Sequence, residues 1–180
     1  WEASPTPIGC LLPQGRLLPQ ASAWAGLAQL EPGDCIRNGS LALHVLPFLE
    51  QDDYDGLLQA CDINFVRGED SFVRAQWAGK PMVWHIYPQQ QEAHLPKLEA
   101  FLALYCAGLP IPVADALRQL WQAWNGQGDV GEAWSGWWRH WAQLERHAQD
   151  WKRELLRQQD HATNLDTLCK KKIYISGFGY

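Results

Sequence analysis

Nowhere in the 180 residues does an apolar run reach the roughly 18 positions that a membrane-crossing helix needs. No leader pattern opens the chain either, so a soluble, cytoplasmic protein with no membrane partner is expected. Positive charge is in short supply: 15 Lys and Arg stand against 20 Asp and Glu, and the basic run is confined to Lys170-Lys171-Lys172. Nucleic-acid binders depend on neutralising phosphates, so this balance argues against that class. Methionine is nearly missing. With Met82 alone in the chain, Trp1 reads as an internal position and the sequence as a piece of something longer. The five cysteines are scattered, odd in number and never spaced C-x-x-C, which points to buried free thiols in a reduced compartment. The six histidines make neither H-E-x-x-H nor another metal spacing; His85 and His94 flank a proline turn, and His140 and His147 lie a heptad apart. Surface or satisfied histidines are expected, with no metal site and no cofactor. A nucleophile elbow and a Walker loop are lacking too, which removes the common hydrolase and NTPase readings.

What is present fits one domain of generous size, or a domain plus a helical appendage, able to bury roughly 70% of its unfolded surface without a staple. Residues 1–20 are rich in Pro and Gly and read as the end of an element and a loop, with a helix possible over Ser22–Leu30. Pro32-Gly33-Asp34 and Asn38-Gly39 are turn signals. Then come a strand at Leu41–Leu46, a helix starting near Asp52-Asp53 and carrying Tyr54 to Ala60, and a strand at Ile63–Val66. A short helix over Phe72–Ala78, capped by Asp70 or Ser71, precedes a third strand at Met82–Tyr87. Such alternation predicts an α/β fold, a Rossmann-like parallel sheet with flanking helices. Beyond Gln89 the pattern turns helical: Glu92–Leu104, Val113–Trp124 and Glu132–Leu156. Trp134, Trp137, Trp138 and Trp141 share one helical face, which reads as packing core. Lys170–Tyr180 reads as a disordered or foreign tail.

Two constellations carry chemistry. The loop Arg67-Gly68-Glu69-Asp70-Ser71 follows a strand and opens a helix, at the sheet edge where open α/β folds bind ligands. Helix amides, the dipole and the Arg67 fork suit phosphate oxygens, Ser71 adds a donor, and Glu69 and Asp70 can accept from sugar hydroxyls. The plain alternative is a turn in which Asp70 caps the helix and Arg67 pairs with Glu69. Upstream, Phe48, Gln51 and Tyr54 set two rings around an amide, suited to a pyrimidine; alone, the rings would read as core or staple residues. Tyr87, closing the third strand, joins the set.

Read continuously, Leu46-Pro47-Phe48-Leu49, Gln51-Asp52-Asp53-Tyr54-Asp55, Cys61 through Pro81, and Trp84-His85-Ile86-Tyr87-Pro88-Gln89 closely resemble the EarP family, the protein-arginine rhamnosyltransferases of translation elongation factor P. The likeness is dense from Leu46 to Leu102 and thinner to about Leu165. It implies a GT-B architecture of two Rossmann-like domains. Residues 1–168 would be the C-terminal, donor-binding domain with its C-terminal helices, and 169–180 a tail of uncertain origin. By the same resemblance the donor is dTDP-β-L-rhamnose and the partner is elongation factor P, whose arginine is rhamnosylated with inversion and without a metal. Phe48 and Tyr54 would sandwich thymine and Gln51 pair with it. Arg67, Asp70, Ser71 and Tyr87 would hold the diphosphate and nearby hydroxyls, and Glu69 matches the family's essential glutamate. The family's catalytic aspartate belongs to its N-terminal domain, so this half is expected to be inactive alone. Two alternatives remain open: a non-catalytic module that holds a protein through the Trp-rich helices, or a nucleotide-sugar transferase for another acceptor.

Overall fold

The computed structural model describes residues 1–87 and 94–157, a helix-rich α/β arrangement with small sheets in which parallel pairs recur. The chain divides into two compact units, Trp1–Leu57 and Leu58–Tyr180. The proline turn expected between His85 and His94 and the tail expected at 169–180 lie outside the described residues.

The first unit is built on a three-stranded sheet. Strand β1 (Ile8–Pro13) runs parallel to β3 (Leu41–Leu46), and β2 (Cys35–Asn38) runs antiparallel to β3 from the other side. Helix α1 (Leu18–Ala25) begins early because Pro19 suits the first helical turn, and it ends on Gly26 at φ 69. It thus sits ahead of the span expected from Ser22. Leu30, Leu43 and Val45 form the core, packed by Leu12, Leu18, Ala21 and Ile36. Ser22 is buried within it but satisfied: its hydroxyl donates to the Leu18 carbonyl and accepts the Leu30 amide.

Both β1 and β2 fall where turn-rich sequence predicts coil. Pro13 is tolerated because it ends an edge strand. The Asn38-Gly39 signal proves to be the tight turn of the β2–β3 hairpin, with Asn38 opposite Leu41. The expected parallel pairing is thus seen in part: β1 and β3 run parallel within a mixed three-stranded sheet of the first unit, and Asn64–Arg67 and Met82–His85 form a parallel pair in the second.

Helix α2 (Gln51–Ala60) carries Asp52 and Asp53 in its first turn, and the division between the units falls inside it. The second unit opens with β4 (Asn64–Arg67), crosses through α3 (Glu69–Ala78) and returns in β5 (Met82–His85), parallel to β4. Among the described residues four helices follow: α4 (His94–Tyr105), α5 (Ile111–Trp124), α6 (Val130–Trp138) and α7 (Trp141–Arg157). The single helix expected over 132–156 is two. Two glycines weaken the first, and His140 starts the second afresh, its carbonyl accepting the Gln143 and Leu144 amides. The tryptophan face is therefore shared between two helices. Its rings still stack, Trp134 on Trp137 at 5.2 Å and Trp138 near Trp141 at 5.0 Å, but only Trp137 among the four is fully buried.

The middle of this unit is aromatic. Phe72 of α3 stacks on Trp84 of β5 at 4.0 Å and meets Phe101 of α4 edge-on at 4.6 Å. Trp121 of α5 lies fully buried alongside Phe101 and donates its indole N–H to the Met82 carbonyl at 2.9 Å. At the other end of α3, Gln76 accepts the Trp151 indole N–H of α7. Among the described residues, no helix is long and apolar enough to cross a membrane.

Candidate functional site

The second unit concentrates its polar features where β4 runs into α3. Arg67 is the last residue of β4, and Gly68 makes the corner at φ 78, ψ 172. The helix then begins at Glu69, earlier than the sequence suggests, with Gly68 as its cap residue and no side-chain cap. The expected cap at Asp70 or Ser71 is thus corrected. The Asp70 carboxylate is drawn to Arg74 one turn on, where Arg74 Nε donates to it at 2.9 Å, and Ser71 is already a first-turn residue. The first helical bond runs from the Phe72 amide to the Gly68 carbonyl at 3.3 Å, so the amides of Glu69, Asp70 and Ser71 precede the helical ladder. With the helix dipole, these amides form an electropositive mouth.

Arg67 does not pair with Glu69. The Glu69 carboxylate instead meets Lys97 of α4 at 3.3 Å, and Lys97 also lies over the Trp84 ring at 5.8 Å. The Arg67 guanidinium carbon stands 5.0 Å from the centre of the Tyr87 ring, and its Nε is buried without a hydrogen-bond partner. A buried donor left unmade costs about 1–3 kcal/mol, so this nitrogen marks a place built for an acceptor. Tyr87 also closes on Gly68: a Cβ there would lie 2.9 Å from Tyr87 Cε2. The Gly68 carbonyl receives the Trp84 indole N–H at 3.1 Å. Arg67, Gly68 and Tyr87 are therefore brought together, with Glu69, Asp70 and Ser71 in the adjoining helical turn.

Opposite Arg67 in the ladder stands half-buried His85. Burial first, then the Arg67 charge and that of His94, push its pKa below the ordinary 6.5, so the ring is neutral around pH 7. The remaining histidines of note are satisfied ones: His147 meets the Tyr105 carbonyl at 2.7 Å and His140 meets Gln143. Among the described residues, no three His, Cys, Asp or Glu side chains gather where they would share a metal ion.

The other constellation belongs to the first unit. Phe48 is 74% exposed, which removes the reading of it as a core residue. Gln51 opens α2 on the surface and Tyr54, half-buried, follows three residues later on the same helical face. Two residues of the second unit were not signalled by the sequence. Lys97 is one lysine on an otherwise ordinary amphipathic helix. Asn125 looks like a helix-ending residue beside Gly126, yet its amide reaches the backbone of β5.

Residues 1–170 match the family model described as Elongation-Factor P (EF-P) rhamnosyltransferase EarP. The chain is 53% identical over 150 residues to the protein-arginine rhamnosyltransferase of Pseudomonas aeruginosa, covering 83% of this chain and 38% of that protein. The enzyme of the same name from Pseudomonas putida is 52% identical over 159 residues, covering 88% and 42%. A solved structure described as the structural basis for EarP-mediated arginine glycosylation of translation elongation factor EF-P superposes with a TM-score of 0.85 at 46% identity. That match takes in 94% of this chain and 54% of the other, so the chain spans about half the length of the proteins it matches.

Proposed function

The chain belongs to the EarP family of EF-P rhamnosyltransferases, and from that membership we propose that it supplies the Rossmann-like, donor-binding half of a GT-B glycosyltransferase. In this reading the whole cytoplasmic enzyme moves rhamnose from dTDP-β-L-rhamnose to an arginine of translation elongation factor P, inverting the sugar carbon and using no metal. These 180 residues bind the donor and do not transfer it alone. The observation that carries the reading is Arg67 Nε, closed off from water without a partner at the start of α3, whose first turn no side chain caps.

The chemistry follows from that corner. Breaking the glycosidic bond releases dTDP, whose new negative charge needs fixed donors already in place. The Arg67 guanidinium and the amides of Glu69, Asp70 and Ser71 supply them, with Ser71 Oγ and the Tyr87 hydroxyl completing the cradle around the diphosphate. Asp70 accepts from a nearby hydroxyl. Phe48 and Tyr54 take thymine between their rings and Gln51 pairs with its edge. A protonated guanidinium is a poor nucleophile, so a carboxylate must offset its charge or take a proton as it attacks; Glu69, on the rim of the mouth, is the residue assigned to this. Calorimetry with dTDP tests the reading on wild type and Arg67→Ala. Loss of a charge-assisted contact should weaken binding by on the order of 1.5–3 kcal/mol. Equal affinity for the two proteins overturns it.

A further inference from the structure

We propose that Asn125 is a positioning residue for Tyr87 and, through Tyr87, for the Arg67 guanidinium; the functional part of this inference rests on the donor-site reading above. Asn125 ends α5. Its Oδ1 accepts the Ile86 amide at 3.0 Å, and its Nδ2 donates to the Trp84 carbonyl and to the Trp121 carbonyl, each at 2.8 Å. The Trp84 carbonyl and Ile86 amide flank His85 on one edge of β5. A parallel neighbouring strand would pair with residue 85 through the same two groups. The other edge is occupied by β4, with Arg67 opposite His85. One side-chain amide therefore stands in for a third strand, one residue long, at the end that delivers Tyr87.

The amide's orientation is fixed by its partners. Turned over, it would set its NH₂ against the Ile86 N–H and its oxygen against two carbonyls. Both donors and one acceptor site are used, and the group is partly buried, so it has no alternative set of bonds. The same helix face grips β5 at its start as well, where Trp121 donates to the Met82 carbonyl at 2.9 Å. Trp121 and Asn125 lie four residues apart, one above the other on α5. The first handle is deep core; the second acts at the exit of the strand.

What the exit controls is the ring of Tyr87. Ile86 is 2% exposed and its amide is tied to Asn125, so little backbone freedom is left before Tyr87. The ring then lies against Gly68 and under the Arg67 cation at 5.0 Å. Removing the Asn125 amide leaves the Trp84 carbonyl and Ile86 amide without partners, and the strand end is released from one side. The ring, no longer registered on Gly68, ceases to hold the guanidinium against its face.

The experiment uses the full chain and two readouts. One is the nuclear Overhauser contact between the Tyr87 ring and the Gly68 Hα protons, which needs no ligand. The other is dTDP affinity by calorimetry in the cycle wild type, Asn125→Ala, Tyr87→Ala and the double variant. The expected result is that Asn125→Ala loses the ring contact and binds dTDP about tenfold more weakly, with little further loss when Tyr87 is already alanine. Asn125→Leu, which keeps the approximate shape but neither the acceptor for Ile86 nor the two donors, should behave alike and replaces the alanine variant if that one does not fold. Persistence of the ring contact in either variant overturns the inference. So does an equal loss with and without Tyr87, which is what a merely structural residue would give. If wild type and Arg67→Ala bind dTDP equally, the donor-site reading falls, and the ring contact alone decides the placement of Tyr87.

Discussion

The phenol ring of Tyr87 occupies the space that a side chain on Gly68 would need, with Cε2 2.9 Å and the hydroxyl 3.2 Å from an ideal Cβ position. Gly68 also sits at φ 78, where an L side chain is strained. Gly68→Ala therefore meets two penalties at one atom. We expect a stability loss of about 1–3 kcal/mol in urea unfolding, together with weaker dTDP binding because the ring must move. A variant that keeps both unfolding midpoint and affinity would show that the corner tolerates a side chain.

Lys97 and Glu69 form an ion pair at the mouth, yet the two side chains are 52% and 56% exposed. Solvent screens such a pair, and holding two long side chains offsets most of the attraction. Lys97→Ala should leave unfolding free energy within about 0.5 kcal/mol of wild type. A larger drop would mean that Lys97 is anchored mainly through the Trp84 ring.

Trp121 has no exposed surface and its indole N–H is the partner of the Met82 carbonyl. Trp121→Phe removes that donor while keeping a ring, and should cost about 1–3 kcal/mol. Trp121→Ala also opens a cavity and should cost about 3–5 kcal/mol. Chemical denaturation of the two variants side by side checks the order; near-equal losses would mean that the hydrogen bond, not the volume, dominates.

His147 gives the unit a pH response. Burial holds its pKa below 6.5, partly opposed by the bond to the Tyr105 carbonyl and by Asp150. Below 6.5 the unfolded chain binds a proton that the folded one resists, so stability falls as pH drops from 6.5 toward the folded pKa, and is unaffected well above 6.5. His85, shifted the same way, adds to the effect. His147→Gln, which keeps a donor for Tyr105, should flatten the decline in thermal midpoint between about pH 7 and 5. An unchanged slope would assign the response elsewhere.

The elements that the sequence displays most clearly are those whose own residues decide them. Leu41–Leu46 is a strand as read, and Ile63–Val66, Phe72–Ala78 and Val113–Trp124 each differ from their elements only at the ends. What was hidden depends on partners far along the chain. The segment Ile8–Pro13 is a strand because β3 is there to pair with it, against the advice of Gly9 and Pro13. The loop's residues were legible as a polar corner after a strand. Their pairings were not: Glu69 finds Lys97 across 28 positions, and Asn125 finds Ile86 across 39. No local pattern encodes contacts of that separation.

Trp84 carries a consequence for anyone redesigning this protein. Its face stacks on Phe72 in the middle of the second unit, while its N–H ends on the carbonyl of Gly68. No padding layer insulates the corner at Gly68 from the interior; one indole is wall and foundation at once. Repacking meant only to harden the interior will also retune the corner, and screens for thermal tolerance should be scored for ligand affinity in the same round.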